Sequence, residues 1–238
     1  MQTEITFPAG GGVSLPGVLT VPDHVDGPVP GLVMIYEVFG MNDEMRRIAR
    51  ELAAEGYAVI IPDLFARGSL RPLCVASAVR ATLTGKGREL DDLEDARRWF
   101  VDRPEVDADR IGTIGFCMGG SFALLLARTG MYKVSAPFYS GKVDMPRSCP
   151  VVASYGGRDL ASRGVPEQLT TDLEALGVPH DVHVYPDAGH SFMSRIPGVM
   201  GAVSKHLPIH AEYHEASAAD AHRRIIAFFK EHLDGARA

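Results

Sequence analysis

Residues 111–126 read IGTIGFCMGGSFALLL, a stretch that changes character at its centre. The apolar run Ile111–Ile114 has the pattern of a buried strand, and the residues after Gly119 have the pattern of a helix. Cys117 lies in the turn between them, with Gly115 two residues before it and Gly119 two residues after it. This G-x-Nu-x-G spacing is typical of a nucleophile elbow, where side chains at the glycine positions would clash across a sharp turn. The stretch therefore predicts a thiol at a helix N-terminus, where the helix dipole favours the thiolate.

The same turn has a simpler interpretation. A glycine-rich turn can pack a helix against a strand or bind phosphate without any catalysis. No Gly-Lys-Ser/Thr sequence follows the turn, and its glycines lack the G-x-G-x-x-G spacing, so neither common nucleotide-binding motif is present. The turn by itself leaves catalysis and packing open.

Apolar strands alternate with helices along the whole chain. Strands are predicted at 13–21, 31–36, 57–61, 110–115, 134–139, 151–155 and 182–185. Helices are predicted at 42–55, with Asn42 as the N-cap, and at 90–101, 121–128, 165–176 and 221–232. This alternation indicates an α/β fold with a mostly parallel central sheet of about seven to eight strands, flanked by helices on both faces. No repeat or linker divides the chain, so we expect one domain over residues 1–238.

Two polar residues follow predicted strands near the C-terminus. Asp159 comes after the strand at 151–155, and His190 comes after the strand at 182–185. Open α/β sheets bind their ligands at the carboxyl ends of strands. Alone, Asp159 has an ordinary explanation as a turn former and His190 as a solvated loop residue. Nucleophile, acid and histidine nevertheless follow one another in the chain order of the α/β-hydrolase fold, which favours a catalytic triad with Cys117.

Composition excludes several classes of protein. The 238 residues include 24 Lys plus Arg and 30 Asp plus Glu, a net charge of −6 that disfavours a nucleic-acid partner. No apolar run reaches the ~20 residues of a membrane helix, and the first residues lack signal-peptide features, so we expect a cytoplasmic protein. The three cysteines form neither a disulfide framework nor a C-x-x-C site. Cys74 and Cys149 are interpreted as structural.

Four segments together resemble the dienelactone hydrolase family of α/β-hydrolases. They are Tyr36–Asn42, which is similar to its E-x-F-G-x-N segment, Pro62–Arg67, similar to P-D-L-[YF]-x-R, the cysteine elbow Gly115–Gly120 and the histidine loop Gly189–Phe192. These segments occur in order over nearly the whole chain. The resemblance implies the α/β-hydrolase fold, no cofactor and no metal. It implies a small-molecule ester or lactone as the partner, whereas the absence of nucleic-acid and membrane partners is expected from the charge and the apolar runs. Monomer or homodimer is left undecided.

By this resemblance, Cys117, Asp159 and His190 form the triad of a hydrolase. His190, oriented by Asp159, would promote the Cys117 thiolate, which would attack an ester or lactone carbonyl and form a thioester acyl-enzyme. The backbone N–H groups of Met118 and Val38 would form the oxyanion hole.

Glu37 matches an additional carboxylate of the family, which lies near the thiol and helps to control when the thiolate forms. A charge at the end of an apolar strand is costly unless it is paired. The alternative is that Glu37 only forms a salt bridge with Arg46 or Arg47.

Substrate-binding residues follow less directly from the resemblance. Family members that act on dienelactone bind its free carboxylate with two arginines. Arg195 is the candidate for the one after the histidine loop, although it lies one position later than in the family motif. Arg80 or Arg71 is the candidate for the other, in a short cap-like segment around residues 68–89. All three can equally be ordinary solvated arginines.

Phe39 and Tyr139 are candidates for lining the pocket, with membership of the core as the alternative. The substrate is therefore expected to be a small ester or lactone of undefined identity. A carboxylesterase that acts on neutral small esters is the alternative enzyme. A redox-responsive thiol protein or a binding protein on the same scaffold is the non-catalytic alternative.

His206, His210 and His214 recur every four residues, the spacing of a metal-binding helix face. Pro208 would interrupt such a helix. We therefore expect an insertion around residues 195–218 near the mouth of the active site, and not a metal site.

Overall fold

The computed structural model describes residues 1–24, 26–68, 70–196 and 203–234. Within these residues, eight strands form one sheet. The strands are β1 (Gln2–Ala9), β2 (Val13–Thr20), β3 (Val29–Ile35), β4 (Ala58–Pro62), β5 (Val106–Phe116), β6 (Val134–Phe138), β7 (Val151–Gly156) and β8 (His180–Tyr185). Their order across the sheet is β1-β2-β4-β3-β5-β6-β7-β8.

Helices cover this sheet. They are α1 (Asp43–Ala54), α2 (Arg71–Thr84), α3 (Arg88–Val101), α4 (Met118–Ala127), α5 (Val165–Ala175) and α6 (Glu215–Phe229), with a 3₁₀ turn at Leu160–Ser162 and a π turn at Lys230–Asp234. None of the helices in the described ranges is long and apolar enough to cross a membrane.

The sheet is mostly parallel. β4, β3, β5, β6, β7 and β8 pair in parallel, whereas β2 is antiparallel to β4 and β1 is antiparallel to β2. Every residue of β4, β6 and β7 is buried, because helices cover both faces of a parallel sheet. The predicted α/β architecture is confirmed, and the sheet brings the carboxyl ends of β3, β5, β7 and β8 to one edge.

The N-terminal strand β1 was not predicted. Pro8 lies within it and cannot donate a ladder hydrogen bond, so the segment does not have the pattern of a strand. β1 is an edge strand that pairs only with β2, an arrangement in which one proline is tolerated. Phe7 and Ala9 are its buried residues.

Several helix boundaries also differ from the predictions. The segment at 68–89 is largely the helix α2, which packs against α3 and α4, and its last two residues belong to α3. α4 begins at Met118 and not at Ser121, because Gly119 and Gly120 are helical here despite their low propensity. α6 begins six residues earlier than predicted, since the imidazole of His214 caps it in place of a more usual residue. The predicted cap at Asn42 is confirmed: its side chain accepts the Met45 amide at 3.0 Å.

Candidate active site

Cys117 lies at the junction of β5 and α4. Its backbone has φ 56° and ψ −116°, a left-handed φ that costs a non-glycine residue about 1–3 kcal/mol. A Cβ at Gly115 would overlap the backbone of Gly119, and a Cβ at Gly119 would overlap the carbonyl group of Ile35. The predicted clash across the turn is therefore confirmed at Gly115, whereas Gly119 is needed because β3 approaches the turn closely. The turn leaves the thiol half-buried at the N-terminus of α4.

Asp159 and His190 meet at the carboxyl ends of β7 and β8. Oδ2 of Asp159 lies 2.7 Å from Nδ1 of His190 and accepts a hydrogen bond from Oγ of Ser162 at 2.9 Å. Oδ1 accepts the amide of Ala161 at 2.9 Å. The Asp159 side chain is fully buried and that of His190 is 13% exposed. Burial acts to raise the pKa of Asp159, but these hydrogen bonds and the charge of His190 outweigh it and lower the pKa.

The imidazole of His190 contacts Asp159 and interacts electrostatically with the thiol of Cys117. Burial opposes its charged form, but the hydrogen bonds and charges of these two partners outweigh burial and raise the pKa of His190 to about 10. A protonated imidazole beside a thiol stabilises the thiolate. The three predicted triad residues are thus brought together from three separate loops.

Glu37 follows β3 and is 1% exposed. Its Oε1 accepts hydrogen bonds from the Tyr139 hydroxyl at 2.9 Å and from Oγ of Ser194 at 3.1 Å, whereas Oε2 has no hydrogen-bond partner among the described residues. Burial raises the pKa of Glu37 by more than the hydrogen bond of Tyr139 and the charge of His190 lower it. The site therefore favours a neutral carboxyl group.

The alternative prediction of a salt bridge from Glu37 to Arg46 or Arg47 is wrong. Arg46 pairs with Glu4 on β1, and Arg47 pairs with Glu44 and Glu51 on its own helix. Because both guanidinium groups are engaged by other carboxylates, the carboxyl of Glu37 is left with hydroxyl partners.

Tyr139 connects Glu37 to His190. Its φ of 38° is unusual for an aromatic residue, and its ring centre lies 4.9 Å from that of His190 and 5.5 Å from that of Phe192. The side chain is 1% exposed. In this structure Tyr139 supports the two titratable groups, and its contact with a substrate stays a prediction.

The two candidate oxyanion donors follow the ends of the adjacent parallel strands β3 and β5. Met118 is the first residue of α4, so its amide has no helical carbonyl partner one turn earlier. Val38 lies in a tight turn in which the amide of Gly40 donates to the carbonyl of Glu37 at 2.8 Å. Phe39, the other central residue of this turn, is half-buried.

The candidate arginines lie in different surroundings. Arg80 is exposed on α2. Arg71, at the start of α2, donates a hydrogen bond to the carbonyl oxygen of Phe39, next to the candidate oxyanion residue Val38. Of the two arginines considered for the cap-like segment, Arg71 is the one that contacts the elements of the site.

Arg195 turns away from the triad. Its guanidinium lies 4.1 Å from the ring centre of Tyr213 and 3.9 Å from the carboxylate of Glu44. It lines a cleft of about 410 Å³ between α1 and α6, together with Arg47 and His222. None of the triad residues is among the described residues that line this cleft.

The three regularly spaced histidines have separate environments. His214 caps α6, His210 has its Nδ1 3.3 Å from a guanidinium nitrogen of Arg158, and His206 is exposed. Within the described ranges, no three His, Cys, Asp or Glu side chains are grouped as metal ligands would be. Part of the predicted insertion at 195–218, residues 197–202, lies outside the described residues.

Cys74 and Cys149 are apart from this site. Cys74 is buried within α2, and Cys149 is half-buried just before β7. Burial raises the pKa of the Cys149 thiol to about 12. Both environments fit their interpretation as structural residues.

Sequence reasoning missed the hydroxyl partners of the site. Ser162 holds Asp159, and Ser194 holds Glu37. Neither serine belongs to a recognisable motif, and Ser194 is 157 positions from its partner. The only available signal was that both follow a predicted catalytic residue by three or four positions.

Comparisons with known proteins show the family and the fold of this chain. The family model described as the dienelactone hydrolase family matches residues 15–233. A carboxymethylenebutenolidase from Rhodococcus opacus is 29% identical over 223 residues, which cover 85% of this chain and 81% of that protein. The solved structure titled m3DLH has 27% identity and a TM-score of 0.83, with 98% of each chain covered. An α/β-hydrolase enzyme from a deep-sea metagenome library, at 16% identity and a TM-score of 0.70, shares the fold.

Proposed function

The chain belongs to the dienelactone hydrolase family and is a hydrolase of ester bonds, and we propose that it cleaves a small ester or lactone through a triad of Cys117, His190 and Asp159. The observation that carries this proposal is the 2.7 Å contact between His190 and Asp159 beside a thiol held in a strained turn. A buried aspartate that orients an imidazole next to a nucleophile is the arrangement that acyl transfer requires.

The first half of the reaction forms the acyl-enzyme. The Cys117 thiolate attacks the carbonyl carbon, and the amides of Met118 and Val38 stabilise the resulting oxyanion. The carbon–oxygen bond to the leaving group then breaks, and the His190 imidazolium gives its proton to the leaving oxygen. The product of this half is a thioester on Cys117 and a neutral imidazole.

The second half releases the acid. Neutral His190 takes a proton from water, and the hydroxide attacks the thioester carbonyl. Collapse of this intermediate expels the Cys117 thiolate and leaves His190 protonated, so the ion pair is restored. Asp159 and the thiolate balance the positive charge on His190.

A carboxylesterase that acts on neutral esters is a second candidate, and the position of Arg195 favours it. The guanidinium of Arg195 contacts Glu44 and Tyr213 and lines a cleft whose described residues include none of Cys117, Asp159 and His190. Arg71 beside Phe39 is the feature that favours an anionic substrate. The two candidate functions therefore make different predictions for the effect of Arg71 and Arg195 on substrate preference.

The experiment measures hydrolysis of p-nitrophenyl acetate and of a matched p-nitrophenyl ester with a free carboxylate. Cys117→Ala is expected to lower the rate by about 10³-fold or more, whereas Cys74→Ala, the matched control, keeps it. Undiminished turnover by Cys117→Ala would reject the triad. A preference for the anionic ester that Arg71→Ala removes and Arg195→Ala keeps supports a carboxylate-bearing substrate, and a preference for the neutral ester supports the second candidate.

A further inference from the structure

The segment Val203–His214, which we call the bracing segment, packs against two of the catalytic loops. The carbonyl of Ile209 accepts the backbone amide of His190 at 2.8 Å. The carbonyl of Pro208 accepts the amide of Leu160, the residue after Asp159, at 3.4 Å. One short segment therefore contacts the backbone of two loops, the loop after β7 that carries Asp159 and the loop after β8 that carries His190.

His210, near the centre of this segment, has a left-handed backbone conformation. Its φ is 46°, a region in which a side chain normally costs about 1 kcal/mol or more. Its Nδ1 lies 3.3 Å from a guanidinium nitrogen of Arg158 and 3.2 Å from the carbonyl oxygen of Lys205. Arg158 directly precedes Asp159. The backbone amide of Arg158 donates to the carbonyl of Ala188, two residues before His190, at 2.9 Å.

The backbones at Gly156, Gly189 and His210 pack directly against one another, without room for a side chain between them. A Cβ at Gly156, the last residue of β7, would overlap the carbonyl of Gly189, and a Cβ at Gly189 would overlap the carbonyl of His210. Gly189 directly precedes His190. A change in the backbone at position 210 therefore acts on the residue next to the catalytic histidine.

We propose that His210 is a positioning residue, which fixes the imidazole of His190 against Asp159 by holding the bracing segment on the histidine loop. This inference rests on the proposed function, because it takes His190 as the catalytic base. His210 itself touches neither the thiol nor the reacting atoms. Its Nδ1, when unprotonated, accepts a hydrogen bond from the Arg158 guanidinium, and its left-handed backbone presents the carbonyl of Ile209 to the amide of His190.

The test compares four variants by kcat and KM for p-nitrophenyl acetate and by the pH profile of kcat/KM. His210→Ala loses the contact with Arg158 and keeps the backbone strain, so we expect kcat to fall about tenfold with KM within about twofold, since a misplacement of ~1 Å can cost about 10²-fold. His210→Asn is expected to recover most of the rate, because Asn tolerates the left-handed conformation and its oxygen accepts from Arg158. His206→Ala, in the same segment but exposed, is the control and keeps wild-type kinetics.

Arg158→Ala removes the same contact from the other side and carries the test if His210→Ala fails to fold. The downfield proton resonance of the His190 Nδ1–H group provides a readout that does not need turnover. We expect it to weaken or shift in His210→Ala and Arg158→Ala and to stay unchanged in His206→Ala.

Wild-type kcat, pH profile and resonance in folded His210→Ala and Arg158→Ala would overturn the proposal. Failure of His210→Asn to restore any activity would overturn the role of the side-chain contact. If Cys117→Ala still hydrolyses esters, the proposed function fails, and the resonance alone then decides whether His210 positions His190.

Discussion

Nδ1 of His190 lies 2.7 Å from Oδ2 of Asp159, and the Asp159 side chain is fully buried. This contact and the thiol of Cys117 raise the pKa of His190 to about 10 against the effect of burial. Asp159→Asn removes the carboxylate but keeps the burial of His190 and its interaction with Cys117, so the pKa of His190 is expected to fall. We expect kcat to fall by about 10²–10⁴-fold and the alkaline limb of the pH profile of kcat/KM to move to lower pH.

Asp187→Asn is the matched control for this change. Asp187 is exposed in the same loop as His190, and its variant should keep both the rate and the alkaline limb. An Asp159→Asn profile with its alkaline limb unchanged would show that Asp159 does not set the protonation of His190.

Glu37→Gln tests the neutral state of the buried carboxyl. Because burial raises the pKa of Glu37 in the folded state, the folded protein binds this proton more tightly than the unfolded chain does. The stabilising effect of this proton on the free energy of unfolding is fully present below the pKa of about 4.3 in the unfolded chain. It is lost as the pH rises through the pKa of Glu37 in the folded protein. Glu37→Gln avoids this loss, so we expect it to gain about 1 kcal/mol or more relative to wild type between pH 4.5 and pH 7.5.

Urea unfolding of both proteins at the two pH values measures this difference. Glu174→Gln, on the exposed surface of α5, should show no such change. A stability difference between Glu37→Gln and wild type that is the same at both pH values would mean that folding does not raise the pKa of Glu37.

The three cysteines are expected to differ in reactivity. Iodoacetamide at pH 7.5 should modify Cys117 first, since its thiol is half-buried beside a charged imidazole, whereas Cys149 has a pKa raised to about 12 by burial and Cys74 is 3% exposed. Peptide mapping over time measures the order. His190→Ala should slow the modification of Cys117 and leave the other two unaffected.

Unfolding in guanidinium chloride should make all three cysteines react at similar rates, which controls for the reagent. Modification of Cys74 or Cys149 as fast as Cys117 in the folded protein would contradict the assigned environments. So would a Cys117 rate that does not change in His190→Ala.

The spatial grouping of Cys117, Asp159 and His190 could be predicted from sequence because each residue has a local signal. The glycines around Cys117 indicate a sharp turn, and Asp159 and His190 each follow an apolar strand. In a parallel sheet, strand ends that are far apart in sequence meet at one edge. Their spatial grouping therefore follows from the fold class.

The environment of Glu37 could not be predicted in this way. Its partners Tyr139 and Ser194 lie 102 and 157 positions away, and each is a common residue with no motif. Their convergence depends on loop conformations, including the positive φ of Tyr139. Position 194 holds a serine, so the carboxyl of Glu37 is contacted by hydroxyls, while Arg195, the next residue, points to another cleft.

The bracing segment was predicted only as an insertion. The four-residue spacing of its histidines is typical of a helix face, but Pro208 and the left-handed His210 show that the spacing has a different origin. His214 caps a helix, and His210 contacts Arg158. Spacing alone could not distinguish these roles, because each depends on a partner elsewhere in the chain.

In the proposed mechanism, Cys117 carries the acyl group during turnover. The most direct test of this step is intact-mass measurement after mixing with p-nitrophenyl acetate and rapid acid quench, followed by peptide mapping. We predict the added mass of one acetyl group on the peptide containing Gly115–Gly120, located on Cys117, and none in Cys117→Ala. Hydrolysis without any acetylated Cys117, or an adduct on another residue with turnover retained by Cys117→Ala, would contradict the mechanism.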